Sequence, residues 1–471
     1  MNHSGNSFIQ NRTFDEIEVG DSAQLIRPLR TADIQLFAAI SGDINPTHLD
    51  PEFAQSGQFR DIVGHSLWGG TLVSAILGTE FPGPGTVYVS QSFNFWRPVT
   101  VGDTLTISVT CREKHEHNHH LVFECRAVNQ SGVKVMDGYA EVAAPTQRIR
   151  RPKVLPPEVK IADREERFRR MLSLTDGLPP IQIAVASPCD ADSLRGPLQA
   201  AVTGLVTPIL VGPDRKIRAL AEEQMLDLKG IRIINVQDDN AAADVAVALC
   251  RDEGVSALMK GSLSTRDLMR AALSKTTGLR GARRISHVAV ASVPAYPKLL
   301  LVTDAAINIA PTLEEKADII QNAIDLAHMM GLSEPRVAIL AATDVVDPKM
   351  PATLDAAALC EMAERGRIQG GLLAGPLAFD KAVSPRAAGI KGIRSPVAGE
   401  ADILVVPSIE AGNIVARQLE YLADALMGGI VLGAKVPIVL TTRADTAQTR
   451  TVSCAIAQLI HHHKTREANN P

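Results

Sequence analysis

The sequence predicts a multidomain chain in which an α+β domain is followed by a two-lobed α/β domain with a mainly parallel sheet. Its 471 residues exceed what one hydrophobic core usually serves. Thirteen of its 17 aromatic residues lie in the first 150 positions, so the two parts fill their cores with different residue types. Prolines and charges over 148–157 are typical of a linker. We therefore expect domains at 10–147 and 161–464, joined by a linker over 148–160.

Composition and charge narrow the class of protein. The chain is 45% hydrophobic and 21% charged, as ordinary globular proteins are, and a net charge of −4 gives no general attraction to nucleic acid or anionic membranes. It has no apolar stretch long enough to span a membrane and no signal-peptide pattern at its start. The six scattered cysteines lack any C-x-x-C pair, which argues against a zinc site or disulfides. We expect a cytoplasmic protein with neither a membrane nor a nucleic-acid partner.

In the first domain, a helix is expected to begin at Thr31 and to end at Gly42, with a second, more apolar helix over about 66–77. Alternating or apolar strands are predicted at 104–110, at 121–128 and through 139–142. One buried helix followed by a run of antiparallel strands is the order of a hot-dog fold, in which a sheet wraps a central helix.

The second domain has a different pattern. Short, continuous apolar runs such as 181–186, 337–340 and 403–406 alternate with stretches of helical spacing such as 313–330. Buried strands that alternate with helices predict a mainly parallel α/β sheet, and the length of this part suggests two lobes. In such sheets ligands bind beyond the carboxyl ends of the strands.

Asp43 and His48 are the first candidate site. They lie in a segment bent by Gly42 and Pro46, so they can converge on one small molecule. A carboxylate and an imidazole can bind one water and handle its protons, which the addition of water to an activated double bond requires. Alternatively, Asp43 caps the local turn and His48 is an ordinary loop histidine.

The segment 37–50, FAAISGDINPTHLD, resembles the motif of MaoC-like, (R)-specific enoyl-CoA hydratases, and the similarity continues through 64–70 and 82–88 to about residue 145. The resemblance implies that Asp43 and His48 are the catalytic pair and that Asn45 contacts substrate. It also implies that the amide of Ser66, where the family usually has glycine, holds the thioester oxygen at the head of the central helix. The implied reaction is hydration of a short trans-2-enoyl-CoA to 3-hydroxyacyl-CoA.

Four histidines cluster at 115–120, in the predicted turn between two strands. Zinc binding would need converging ligands, and the sequence offers no second ligand cluster for them. A solvated hairpin tip is the favoured interpretation, and no metal site is expected.

Polar groups in the second domain cluster where predicted strands end, at 260–265, 304–308 and 441–445. Hydroxyl and guanidinium groups at such points suit phosphoryl oxygens, although helix capping and solvent-facing arginines would explain each segment alone. The chain lacks both G-x-x-x-x-G-K-[ST] and a G-x-G-x-x-G after the first strand, which argues against an ATPase or an ordinary Rossmann dehydrogenase.

Together, the segments 257–270, 371–380, 407–413 and 441–445 are similar, in order, to blocks of the phosphate acetyl/butyryltransferase family. The resemblance covers roughly 165–460 and implies acyl transfer between CoA and inorganic phosphate, in a cleft between two lobes. Asp445 is the candidate base, because Thr449 stands where the acetyltransferase branch has aspartate. The other residues that the resemblance assigns to catalysis or substrate binding are Arg443, Thr442, Arg270, Lys260 and Ser262.

The preferred hypothesis is a bifunctional CoA-thioester enzyme with no bound cofactor. Its substrates would be enoyl-CoA or acyl-CoA and inorganic phosphate or acyl phosphate. Hot-dog sheets expose edges, so a homodimer or higher homo-oligomer is expected. The alternative is an acyl-CoA-binding hot-dog module fused to a metal- and NAD-dependent dehydrogenase-like domain, for which Asp344 and Asp347 are the available carboxylates.

Overall fold

A computed structural model of the chain describes residues 8–56, 61–154, 159, 164–441 and 445–469. Contacts divide the chain into two compact units, Met1–Ala162 and Asp163–Pro471. Within the described ranges, no helix combines the length and apolar character needed to cross a membrane.

The first unit is a five-stranded antiparallel sheet with a central helix. Its strands are β1 (Phe8–Gln10), β2 (Ser22–Pro28), β3 (Val87–Phe95), β4 (Thr104–His115), β5 (His120–Val128), β6 (Lys134–Ala143) and β7 (Arg150–Pro152). Its helices are α1 (Thr31–Ser41), α2 (Pro46–Leu49), α3 (Pro51–Ser56) and α4 (Ser66–Thr79). The sheet order is β2-β4-β5-β6-β3, and β1 pairs separately with β7. A short strand therefore lies within the segment predicted as a linker.

Helix α4 is the centre of this unit. Its side chains Val73, Ile76 and Leu77 are fully buried and share one core with alternate residues of β4 and β5. The sheet comes so close that a Cβ on Gly70 would lie 3.2 Å from the ring of Phe93. The expected α+β hot-dog arrangement is confirmed. Strands β2 and β3, at the two edges, were not anticipated: β3 is mainly exposed without alternation, and β2 alternates only between exposed and half-buried residues.

The second unit alternates strands with helices around one eleven-stranded sheet. The strands are β8 (Ile181–Ala186), β9 (Val206–Gly212), β10 (Arg232–Asn235), β11 (Ala257–Lys260), β12 (Ser286–Ser292), β13 (Leu299–Thr303), β14 (Arg336–Leu340), β15 (Leu372–Leu377), β16 (Ile403–Val405), β17 (Leu426–Leu432) and β18 (Ile438–Val439). The helices are α5 (Arg164–Leu172), α6 (Ala191–Val202), α7 (Asp214–Glu223), α8 (Asp239–Asp252), α9 (Thr265–Ala272), α10 (Leu313–Met329), α11 (Pro351–Glu364), α12 (Phe379–Val383), α13 (Pro385–Ile390), α14 (Ile409–Tyr421) and α15 (Ala447–Asn469).

Two parallel groups of strands make up this sheet, β10-β9-β8-β11-β18 and β13-β16-β14-β15, joined through the antiparallel strands β17 and β12. Both faces are covered: along β8, Ile183 and Val185 belong to one apolar cluster, while Ala184 and Ala186 belong to another. Burial on both faces explains why these strands read as continuous apolar runs. The predicted mainly parallel α/β domain is confirmed, with its two groups of strands in one continuous sheet.

Candidate functional sites

The first candidate site is built from a sharp reversal after α1. Gly42 ends that helix in the left-handed region, at φ 75°, and donates its N–H to the carbonyl oxygen of Ala38. Asp43 follows, and His48 lies in the short helix α2. The reversal leaves Asp43 Oδ2 4.0 Å from His48 Nε2. A single water about 2.8 Å from each atom fits between them.

The His48 ring has a defined orientation. Its Nδ1 lies 2.7 Å from the carbonyl oxygen of Val63, so Nδ1 carries the ring proton and donates a hydrogen bond to that oxygen. Nε2 therefore presents a lone pair toward Asp43. The His48 side chain is 13% exposed and that of Asp43 is 50% exposed, so the pair is open to solvent on the carboxylate side.

A third residue, His65, joins this site and was not assigned from the sequence. Its buried ring lies 3.9 Å from that of His48 and 4.7 Å from that of Phe37, measured between centroids. Its Nε2 donates to the main-chain oxygen of Asp43 at 3.1 Å, and its Nδ1 has no partner within the described part of the chain. The sequence signal was the position of His65 directly before α4, within the 64–70 segment.

Asp43, His48 and His65 also form the cluster of potential metal-ligand side chains found in the described ranges. The Nε2 proton of His65 points at the Asp43 carbonyl, which leaves no lone pair on that nitrogen for an ion. The arrangement therefore suits the handling of water protons better than the binding of a metal.

Ser66 and Asn45 have distinct surroundings. Ser66 is the first residue of α4, so its N–H belongs to a helix end where amides lack carbonyl partners within the helix. Asn45 caps α2, because its Oδ1 accepts from the amide of Thr47 at 3.1 Å. The Asn45 N–H donates to Asp43 Oδ1 at 3.3 Å. The structure thus brings Asp43, His48 and the head of α4 together, whereas it engages the Asn45 side chain in a cap.

The histidine cluster lies at the β4–β5 hairpin. His115 contacts Glu113 at 3.2 Å, and His120 contacts Glu141 at 2.8 Å. The hydrogen bond from His120 is the main cause that lowers the pKa of Glu141. Each of these contacts is a local pair that involves one histidine of the hairpin. In the described part of the chain, the hairpin histidines do not form a set of converging ligands.

The second unit contains a cavity of about 510 Å³ that is lined by residues following β13, β16 and β18 and by residues within β12 and β17. Its apolar wall is made largely of alanine and glycine. Its polar lining residues, as far as the chain is described, are Thr265, His287, Glu410, Asn413, Arg417, Glu420, Thr441, Asp445 and Thr449. This is where the strand-end rule places a ligand.

A charged group organises one side of the cavity. Arg417 Nη1 donates to Glu420 and, at 3.3 Å, to Asp445 Oδ1. Burial opposes the charge of Arg417, yet the carboxylates of Asp445 and Glu420 raise its pKa. Burial also raises the pKa of Glu420. Glu410, Asn413, Arg417 and Glu420 are spaced by three or four residues on α14, and that polar stripe was the sequence signal for this helix face.

His287 of β12 is the other residue that sequence reasoning missed. It is 7% exposed, and its Nδ1 is buried without a hydrogen-bond partner in the described residues. Burial lowers the pKa of His287, while the carboxylates of Asp304 and Asp445 oppose that effect. Because His287 stands inside an apolar-looking strand, no sequence pattern distinguished it from a core position.

The residues predicted for the transferase site differ in their relation to this cavity. Arg443 and Thr442 are outside the described residues. Asp445 lines the cavity, as does Thr449. Lys260 is buried at the end of β11 and donates to the Gly261 carbonyl oxygen at 3.2 Å, without lining the cavity.

Ser262 and Arg270 also do not line the cavity. The hydroxyl of Ser262 donates to the carbonyl oxygen of Ser187 at 2.8 Å. Arg270 Nη2 lies 3.2 Å from Asn240 and 3.5 Å from Asp244, both on α8. The neighbouring apolar side chains of α9 are buried, which turns the Arg270 side chain toward α8 and solvent.

Comparison with known proteins assigns both units to families. Residues 240–458 match the family described as "Phosphate acetyl/butaryl transferase" and residues 16–131 match "MaoC like domain". A phosphate acetyltransferase from Rhizobium meliloti is 55% identical over 293 residues, which are 62% of this chain and 93% of that protein.

Solved structures resemble each unit. The branched-chain phosphotransacylase from Enterococcus faecalis V583 is 31% identical, with a TM-score of 0.53, over 60% of this chain and 99% of that chain. The R-hydratase PhaJ1 from Pseudomonas aeruginosa is 38% identical, with a TM-score of 0.32, over 33% of this chain and 100% of that chain. None of these likenesses supports the dehydrogenase-like alternative. The chain belongs to the phosphate acetyl/butyryltransferase family through its second unit and carries a MaoC-like domain in its first.

Proposed function

We propose that this chain is a bifunctional CoA-thioester enzyme. Residues 10–147 would hydrate short-chain trans-2-enoyl-CoA to 3-hydroxyacyl-CoA, and residues 161–464 would transfer acyl groups between CoA and inorganic phosphate. The observation that carries the proposal is the presence, in one chain, of the Asp43–His48 pair at 4.0 Å in a MaoC-like domain and a strand-end cavity in a phosphotransacylase-family unit. The reactions need no resident cofactor, and CoA thioesters are the shared substrates.

For hydration, we assign the first proton transfer to His48, because its hydrogen bond to Val63 fixes the ring orientation. Water held between Asp43 and His48 attacks C3 of the enoyl thioester while its proton passes to Nε2 of His48. The amide of Ser66 at the start of α4 would stabilise the enolate oxygen. C2 then takes a proton from the imidazolium, so one water is consumed and the pair is restored.

The surroundings of α4 support a short acyl chain. A small cavity of about 20 Å³ is lined by His65 and Ser66 together with large side chains that include Trp68, Leu105 and Met136. That volume is near the space that one water molecule needs. A long acyl chain would have to displace the core at this point.

For acyl transfer, the thiol of CoA attacks the carbonyl carbon of the acyl phosphate and phosphate departs, or the reverse occurs. Arg443 is our candidate for binding phosphate, with Thr442 beside it. The support is its place in the sequence, two residues from Thr441 and two from Asp445, which both line the cavity. A guanidinium donates to phosphoryl oxygens in a planar fork.

The proposal is tested by incubating the full chain with crotonyl-CoA and phosphate and identifying products by mass. Hydrated thioester reports the first unit, whereas acyl phosphate with free CoA reports the second. Asp43→Asn should abolish only hydration and Arg443→Ala only acyl phosphate formation, so each variant controls for the folding of the other. Wild-type protein that yields neither product, or variants that lose both activities while folded, would overturn the proposal.

A further inference from the structure

The proposed acyl transfer needs a base in the second unit, the role for which the family resemblance suggests Asp445. A thiol must lose its proton as it attacks an acyl phosphate, so the cavity needs a proton acceptor. Asp445 and Glu420 are both bound to Arg417. Hydrogen bonds to the backbone and to Ser408 hold the pKa of Glu410 below its usual value. The remaining titratable group on the cavity wall, within the described residues, is His287.

We propose that His287 accepts the CoA thiol proton in the phosphotransacylase reaction. This inference rests on the proposed transferase function and names the acid–base residue of that site. His287 would then be a catalytic residue that neither the motifs nor the strand ends revealed.

The geometry of β12 aims the imidazole at the cavity. His287 and Ala289 are two residues apart on one strand, so their side chains point to the same face of the sheet, and both line the cavity. The neighbouring strand leaves room for the ring at Gly429, where a Cβ would lie 3.0 Å from His287 Nε2. A larger residue there would push the ring away.

The imidazole has no hydrogen-bond partner of its own in the described part of the protein. Its Nδ1 is buried and unpartnered, and its Nε2 is the ring nitrogen beside Gly429, which also lines the cavity. Buried polar groups are normally paired, so an unpaired ring on a cavity wall indicates that a ligand supplies the partner. Many other histidines of the chain contact a carboxylate or a backbone carbonyl, as His48 does.

The charges around His287 suit a proton acceptor. Burial favours the neutral ring, which has the lone pair that a base needs, and Arg417 on α14 acts in the same direction. Asp304 after β13 and Asp445 before α15 favour the charged ring, so they would stabilise the imidazolium once formed. Asp304 is held in place by amide donors from Ala306 and Ile307 at 2.8 and 2.9 Å.

In the step, the thiol S–H bond breaks and its proton moves to His287 as sulfur bonds to the acyl carbon. The carbon–oxygen bond to phosphate breaks, and the departing phosphate takes the proton from the imidazolium. Thioester and inorganic phosphate form, with no net change in the enzyme.

The test measures acetyl transfer from acetyl phosphate to CoA by wild type, His287→Gln and His287→Ala. We expect both variants to lose roughly 10²–10⁴-fold in kcat, with little change in KM for acetyl phosphate, and added imidazole to restore part of the rate of His287→Ala. Wild-type kcat should fall as acid protonates the ring, whereas the residual rate of the glutamine variant should lack that limb. His328→Gln, which changes a histidine of α10 outside the cavity, is the matched control and should behave as wild type.

The outcomes separate the two claims. An inactive wild-type protein contradicts the proposed transferase function itself. With an active wild type, an unchanged rate and pH profile in His287→Gln would overturn the assignment of His287 alone. So would a lost rate that imidazole does not restore and that keeps the wild-type pH profile. Crotonyl-CoA hydration by the same samples reports that the variants are folded.

Discussion

The two candidate sites are assembled in opposite ways. In the first unit, Asp43 and His48 are five positions apart, and the carboxylate is 50% exposed. In the second unit, the polar cavity wall draws on residues from Thr265 to Thr449, and its histidine is 7% exposed. A site made by one bent segment consists of residues that are close in the sequence. A site made where several strands end draws its residues from distant parts of the chain.

The difference extends to how polar groups are satisfied. Around the first site, main-chain oxygens accept the hydrogen bonds of the histidines: that of Val63 accepts from His48, and that of Asp43 accepts from His65. Around the second, charged side chains from α14 and from the segment before α15 hold each other. The four predictions below run from the largest expected effect to the smallest.

We predict that removing the charge of Asp43 lowers the activity of the first site and leaves that of the second unchanged. Asp43→Asn should lower the rate of crotonyl-CoA hydration by roughly 10²–10⁴-fold, because the amide can bind water but cannot balance the proton transfer. Thioester affinity and acyl transfer should stay at wild-type values, since the pair acts mainly on the transition state. Steady-state kinetics and calorimetric binding measure these quantities. A matching loss of transferase rate would contradict independent sites.

The distributed site should depend more on buried charge. Arg450 of α15 is fully buried and donates to Thr441 Oγ1 at 2.5 Å, with Asp190 and Asp445 nearby. Arg450→Met would take this hydrogen bond from the buried Thr441 hydroxyl and remove a positive charge near Asp190 and Asp445, although Asp445 would stay bound to Arg417, at a cost of about 1–3 kcal/mol in the free energy of unfolding of the second unit. Urea unfolding, monitored by the loss of acyl-transfer activity, measures this change. The urea concentration at which half of the hydration activity is lost is the internal control. An equal shift of both midpoints would show that the effect is not confined to the second unit.

The second unit should also lose stability in acid through His287. Burial lowers its pKa from 6.5, so below that pH the unfolded chain binds a proton that the folded chain refuses. Stability is then fully present above about pH 6.5 and falls at lower pH by up to about 1.4 kcal/mol per pH unit until the folded ring titrates. Denaturation midpoints at pH 7.5 and 5.5 test this, and His287→Gln should remove this part of the slope. A slope unchanged in that variant would show that other groups cause it.

The smallest effect concerns His65, which holds Asp43 through one hydrogen bond. His65→Met fills similar space without a donor and should lower the hydration kcat by about five- to tenfold, as one lost hydrogen bond of about 1 kcal/mol implies. His65→Gln keeps a donor near the Nε2 position and should retain most of kcat. Equal losses in both variants would mean that the contact of the His65 ring with His48, rather than the hydrogen bond, positions the pair.

Sequence patterns predicted the elements whose burial is regular. Helix α1 was expected because its apolar residues have helical spacing, helix α4 because its segment is strongly apolar, and β4 because it alternates along one buried face. Edge strand β3 escaped because most of its residues are exposed without alternation, and β2 because its inner face is only half-buried. The role of Arg270 in phosphate binding stays a prediction, and only the structure showed that the orientation of α9 brings its side chain to α8.

The sequence by itself determined that two domains of different class are joined, and that a carboxylate and an imidazole share one bent segment, because local spacing and short loops are properties of neighbours in the chain. Only the tertiary structure decided that the ring of His65 contacts that of His48 and that His287, Arg417 and Asp445 share a cavity. Those residues meet through strand pairing and helix packing over long separations. Sequence periodicity does not predict such contacts, because a residue in the core and a residue on a cavity wall can have the same local pattern.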